Sequence, residues 1–145
     1  LSEKIRIVID TNILLDIVYF DDPKIQILKK ALENKQIEAW SCALIWDEFL
    51  DVLRRPAFYT DEVSYLRMMA QARCYFQFET NNIPPSPFKC KDKDDQIFID
   101  LAVSKAPCWL ISRDLEVLKL ARRLLSVNVY VRQVEMSKLF STTPW

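Results

Sequence analysis

The chain has 145 residues, 20 basic and 20 acidic side chains, no glycine and no histidine. Without glycine there is no phosphate-cradling P-loop, no dinucleotide fingerprint and no nucleophile elbow; without histidine there is no Ser-His or Cys-His dyad, no HExxH zinc helix and no imidazole base. A formal net charge of zero removes any global attraction for nucleic acid, so an anionic partner has to be met by a local patch.

Half the residues are apolar and 12% are aromatic, which argues for an ordinary packed core in a single domain. With no glycine, tight turns and helix exits fall to Asn, Asp, Ser, Pro or Lys. The four cysteines (Cys42, Cys74, Cys90, Cys108) form no CxxC pair, and the expectation is reduced, buried thiols. No run approaches the ~20 apolar residues of a membrane span. No secretory leader pattern opens the chain. The expected location is the cytoplasm.

Ile5 to Ile9 is a β-branched run that reads as a buried strand, ending at Asp10-Thr11-Asn12. Ile13 to Phe20 reads as a short helix stopped by Asp21-Asp22-Pro23. Lys24 to Glu33 is amphipathic, with Asn34 at its exit. Ile37 to Cys42 is a second strand. A helix over Ala43 to Arg55 stops before Pro56. Asp61 caps another, reaching about Phe76, and Phe76 to Glu79 is a candidate extended segment. Asn81 to Lys93 contains three prolines and reads as loop. Asp94 to Lys105 is helical, Cys108 to Ile111 a wholly apolar strand, Leu115 to Leu125 a helix, Val127 to Val131 a strand and Val134 to Phe140 a last helix. Strands alternating with helices imply an α/β fold with a parallel sheet covered on both faces.

Sites in such sheets form beyond the carboxyl ends of the strands. Asp10 directly follows the first strand, and Asp114 follows the Cys108–Ile111 strand after Ser112 and Arg113. If those strands are parallel neighbours, the two carboxylates share one sheet edge; capping the next helix is the equally ready alternative. At the helical period, Leu44, Ile45, Phe49, Val52 and Leu53 form one arc, and Glu48 lies inside it. A buried carboxylate is costly unless it is paired with Arg or Lys or bound to a metal. Asp95 sits similarly above Phe98, Ile99 and Ala102, whereas Asp100 points away. Residues 92 to 100 carry four Asp against one Lys, net −3. Four acids on four elements are therefore expected to converge: Asp10, Glu48, Asp95 and Asp114. An all-oxygen cluster suits Mg²⁺ or Mn²⁺, and a metal-activated water needs no protein base. The chemistry implied is hydrolysis of a phosphodiester.

Ile-Val-Ile-Asp10-Thr11-Asn12 resembles the opening motif of PIN-domain nucleases. Glu48-Phe-Leu-Asp-Val-Leu-Arg-Arg-Pro56 resembles the second-acid helix of the PIN subfamily assigned to the toxins of toxin–antitoxin systems. Asp92-Lys-Asp-Asp95-Gln-Ile-Phe-Ile-Asp-Leu-Ala102 and Leu110-Ile-Ser-Arg-Asp114 resemble the third and fourth motifs. The likeness runs from about Arg6 to Phe140. It implies a single PIN-like domain over 1–145 (core about 4–140, tail 141–145), with a parallel sheet of four to five strands flanked by helices. It also implies Mg²⁺- or Mn²⁺-dependent endoribonuclease activity, with Asp10, Glu48, Asp95 and Asp114 as catalytic metal-binding acids. Asn12, Asp92 and Ser112 match supporting positions. A small antitoxin protein and a homodimer are the partners implied. One departure is Ser112-Arg113-Asp114, where relatives often carry Thr-Gly-Asp; Arg113 either reaches substrate phosphate or pairs with an acid.

Phosphate contacts dominate nucleic-acid affinity, so basic residues near the acids are expected. Residues 104 to 132 hold six basic against two acidic side chains, net +4, with Arg54 and Arg55 a second pair. Arg54, Arg55 and Arg113 are the candidate substrate contacts, while Lys119, Arg122 and Arg123 fit a solvated helix face equally well. Trp40, Trp46, Tyr59, Tyr65 and Trp109 are better read as core than as base-stacking platforms. The helix after Asp61 suits either the core or a partner surface. Two other functions remain open. One is a catalytically silent PIN-like module that binds RNA or protein. The other is phosphotransfer through Asp10, disfavoured by Asn12 where a second Asp is wanted.

Overall fold

The computed structural model describes residues 4–133, which leaves the expected helix at 134–140 and the tail outside the described residues. Five parallel strands form one sheet: β1 (Ile5–Ile9), β2 (Ile37–Cys42), β3 (Phe76–Glu79), β4 (Cys108–Ile111) and β5 (Val129–Arg132), in the order β3-β2-β1-β4-β5. The first strand in sequence is thus central, flanked by β2 and β4.

The helices are α1 (Thr11–Leu15), α2 (Gln26–Glu33), α3 (Ala43–Leu53), α4 (Glu62–Arg73), α5 (Gln96–Ser104), α6 (Leu115–Leu118) and α7 (Ala121–Leu124). Alternation along each strand sends side chains to opposite faces. Ile7, Ile9, Trp109 and Ile111 join Phe49 and residues of α1 to α4 in one core. Val8, Cys108, Leu110, Val129 and Val131 join residues of α5 to α7 in the other. This two-sided burial is why β4 is apolar at every position.

Several boundaries differ from expectation. The run Ile13 to Phe20 divides into α1 and a π-helical turn at Asp16–Phe20, closed by Asp21 in the left-handed region. Lys24 to Glu33 begins with a 3-10 turn at Pro23–Ile25. Leu115 to Leu125 breaks into α6 and α7, with a 3-10 turn at Leu125–Val127 that displaces β5 to Val129. Among the described residues, positive φ occurs at Asp21, Lys35 and Asn128, so the left-handed positions usual for glycine are filled by Asp, Lys and Asn. Cys42, Cys90 and Cys108 are buried, but Cys74, at the end of α4, is exposed. No described helix is long and apolar enough to cross a membrane.

The α3 arc is narrower than its periodicity implies. Ile45, Phe49, Val52 and Leu53 are buried, but Leu44 is 69% exposed, so the buried face of α3 starts at Ile45. Phe49→Ala should therefore cost about 3–5 kcal/mol of folding stability, while Leu44→Ala should change it by less than about 0.5 kcal/mol. Urea unfolding of the two variants measures both.

Candidate metal centre

The site is built at the carboxyl edge of the sheet, where β1 and β4 run side by side with Ile9 opposite Ile111. The Asp10 backbone N–H donates to the Ile111 carbonyl at 3.0 Å, continuing the ladder one residue beyond the strand. Asp10 then caps α1, accepting from the Asn12 N–H at 3.4 Å. Its other oxygen accepts from Ser112 Oγ at 2.8 Å. Ser112 is fully buried, and its Oγ also accepts from the Asp114 N–H at 3.0 Å. One hydroxyl therefore sets Asp10 and the start of the Asp114 turn together. Asp114 caps α6, accepting from the Glu116 N–H at 2.8 Å. Capping and site placement, alternatives in the sequence, coincide in both residues.

The third component comes from the segment before α5. Asp92 accepts from the Asp94 N–H at 3.0 Å and caps the 3-10 turn Lys93–Asp95. The proline-rich loop behind it is pinned by Gln96 and Asp100, to which the sequence alone assigns no role. Gln96 accepts from the Cys90 N–H at 2.7 Å and donates to the Phe88 carbonyl at 2.7 Å and to Asp100 at 2.9 Å. Asp100 in turn accepts from the Ser86 N–H and Oγ. Asp100 does point away from the apolar stripe, and there it anchors the loop.

Carboxylate oxygens of Asp92, Asp95 and Asp114 lie within 4.8 Å of one another. Asp10, Glu48 and Asp94 line the same cavity of about 280 Å³, with Arg55 at its margin. Burial pushes the Asp95 carboxyl up to about 7, reinforced by the charges of Asp114, Asp10 and Asp92. Burial also raises Asp10, against the opposing Ser112 hydrogen bond, and Asp114 adds to the rise. Glu48 is raised by burial and then by Asp94 and Asp10, with Arg55 opposing. Glu48 is half-buried, facing the other acids across the cavity, not enclosed in the core.

Residues fit a divalent cation on two counts. Among the described residues, Asp95 Oδ2 is buried without a hydrogen-bond partner, an expensive condition for a carboxylate oxygen. Asp92, Asp95 and Asp114 offer only oxygen donors, the set suited to Mg²⁺ or Mn²⁺. The structure thus brings Asp92, expected only in support, into the tightest group, with Asp10 and Glu48 beside it.

The expected cationic residues separate. Arg113 pairs with Asp16, a buried acid in the π turn that is not among the residues expected at the site. Its signal was present: Asp16 is the one charged residue in the run Ile13 to Phe20. Arg55 lines the acidic cavity and pairs with Asp51 at 3.1 Å. Arg54 does not line it; the chain turns after α3, and Arg54 meets Glu62 at 3.2 Å and stacks 3.9 Å over the Tyr65 ring. Within the net-positive stretch 104 to 132, Lys105 pairs with Glu79 and Lys119 with Glu116. Tyr65 and Trp109 are buried, and Trp40, Trp46 and Tyr59 pack partly buried against the two cores.

The structure is a five-stranded parallel α/β domain with acids clustered at the carboxyl edge, where such sheets form their sites. Residues 6–116 match the family model of the PIN domain, and the chain belongs to that family. No curated protein matches the chain. PIN domains are generally nucleases that use divalent metals, in keeping with the acidic cluster.

An Asp95 raised to about 7 from an ordinary 3.8 means that the metal-free folded state binds more protons than the unfolded state between those values. Stability then falls as pH rises through this window. The melting temperature of metal-free protein should drop between pH 5 and pH 7.5, and Asp95→Asn should flatten that slope; thermal scans across pH test this. Ser112→Ala should weaken Mn²⁺ binding by roughly 10–100-fold, as loss of an orienting partner does, measured by calorimetry.

Proposed function

We propose that this protein is a metal-dependent endoribonuclease that hydrolyses RNA phosphodiester bonds. The observation that carries the reading is the convergence of Asp92, Asp95 and Asp114, with Asp10 and Glu48 lining the same cavity. Asp92, Asp95 and Asp114 would hold Mg²⁺ or Mn²⁺, with Asp10 and Glu48 contributing directly or through water. When bound, the ion supplies Lewis acidity toward phosphate oxygens and activates water. The chain's own work is placement. Ser112 fixes Asp10, the Asp92 cap fixes the turn bearing Asp95, and Gln96 with Asp100 holds the loop behind it. Asn12 stands at the mouth, its N–H committed to Asp10. Arg55 is the cation beside the acids, and Arg113 lines the neighbouring cleft.

The toxin role in a type II toxin–antitoxin module is the finer part of the proposal. It rests on the likeness of the Glu48–Pro56 helix and of the motif order to that subfamily. A small antitoxin protein would cover the acidic cavity, a homodimer is the expected assembly, and the cytoplasm is the expected location.

Incubation of single-stranded RNA with the protein and Mg²⁺ or Mn²⁺ tests the activity. Wild type should cleave internally, excess EDTA should abolish cleavage, and Asp95→Asn or Asp114→Asn should lower the rate by roughly 100-fold or more. Equal rates in wild type and both variants would refute the assignment.

A further inference from the structure

Next to the acidic cavity lies an open cleft of about 420 Å³ that shares Asp10, Asn12, Leu15, Phe58 and Asp114 with it. What the cleft adds is Phe20 and the paired Asp16 and Arg113, so that Phe20 joins Leu15 and Phe58 as the apolar part of a lining that also holds the acids. Phe20 is the anomaly, because 58% of this large apolar side chain is exposed. It is nevertheless held in place. Its ring meets Tyr19 at 4.8 Å and Phe58 at 6.1 Å between centroids, both nearly perpendicular. Tyr19 also packs on Phe58 at 5.0 Å and donates from its hydroxyl to the Ala57 carbonyl at 3.3 Å. The backbone carrying Phe20 is the π-helical turn, a form that recurs at functional sites. The Asp16–Arg113 ion pair ties that turn to the β4 end.

A half-open aromatic packed against two other rings beside an acidic pocket suits one kind of occupant. Purely apolar ligands gain nothing from the acidic wall, and simple anions gain nothing from the phenyl rings. A nucleobase joined to a phosphodiester uses both, since every base has a face that stacks on an aromatic side chain. We propose that Phe20, backed by Phe58, is a stacking platform for the base flanking the scissile phosphate of single-stranded RNA. This rests on the nuclease reading and adds a substrate subsite to it.

The test uses Asp95→Asn protein, which slows cleavage, titrated into short single-stranded RNA carrying one 2-aminopurine next to the cleaved bond. The parent should bind and quench the probe. Phe20→Ala in the same background should weaken binding about tenfold, a fold-change typical of losing one stacked base, and abolish the quenching. Phe20→Trp should restore both, and Phe20→Leu should not. RNA with an abasic nucleotide at that position should bind parent and Phe20→Ala alike. In otherwise wild-type protein, Phe20→Ala should lower kcat/KM for intact RNA by a similar factor, mainly through KM. Circular dichroism checks that each variant folds. RNA bound equally by the parent and Phe20→Ala, or equally by Phe20→Leu and Phe20→Trp, would overturn the platform and leave the nuclease reading standing. A Phe20→Ala variant that loses self-association but not RNA affinity would overturn it in favour of a contact between copies. Wild type that neither binds nor cuts RNA would overturn both readings.

Discussion

Parallel pairing of β1 with strands on both sides is the constraint from which the rest of the molecule follows. Register sets Ile9 against Ile111 and Val8 against Trp40, so the chain leaves β1, β2 and β4 at the same edge of the sheet. Each exit then delivers an acid: Asp10 directly, Glu48 in the second turn of α3, Asp114 three residues past β4. The α5 segment adds Asp92 and Asp95 from the face beneath. Antiparallel pairing of any of these strands would send its acid to the opposite edge. The same topology buries both faces of the sheet, which supplies the apolar burial needed to hold like charges at close range.

Repulsion among those charges is met by local hydrogen bonds and by protonation. Asp10, Asp92 and Asp114 each accept a backbone N–H at the start of a helix or turn, so one oxygen of each is anchored by the fold itself. Ser112 links two of them from a fully buried position. Asp95 has no such help on its buried oxygen, and it is the carboxyl pushed highest. The residue least satisfied by the protein is thus the one with most to gain from a cation, a common division between stability and function at metal sites.

The absence of glycine acts on the backbone and leaves the chemistry untouched. Left-handed turns at Asp21, Lys35 and Asn128 carry side chains, which limits the conformations open to the unfolded chain as well as the folded one. At Asp21 the side chain takes part in the structure, accepting from Gln26 and Lys29 just after the π turn. That turn joins the acidic edge to the aromatic cleft, so a tight bend made without glycine sits directly behind Phe20.

Strand positions, the acids following them and the order of the motifs were legible in the sequence, because each depends on neighbours close along the chain: an apolar run, a cap, a helical period. Asp92 was legible as an acid but not as a member of the tightest group, which requires knowing where the turn before α5 meets β4. The exposure of Leu44 and Cys74, the pairing of Arg113 with Asp16, the diversion of Arg54 to Glu62 and Tyr65, and the loop-pinning by Gln96 and Asp100 were not legible as such. So too was the cleft formed by Phe20 and Phe58 hidden from it. Most of these are decided by partners brought near only by folding, as with Arg113 and Asp16, 97 residues apart. Sequence by itself determined which groups are available and which sheet edge they leave from, since backbone and burial preferences are local. Tertiary structure alone decided which of them touch, because a carboxylate's partner, charge and access to a ligand are properties of the space around it.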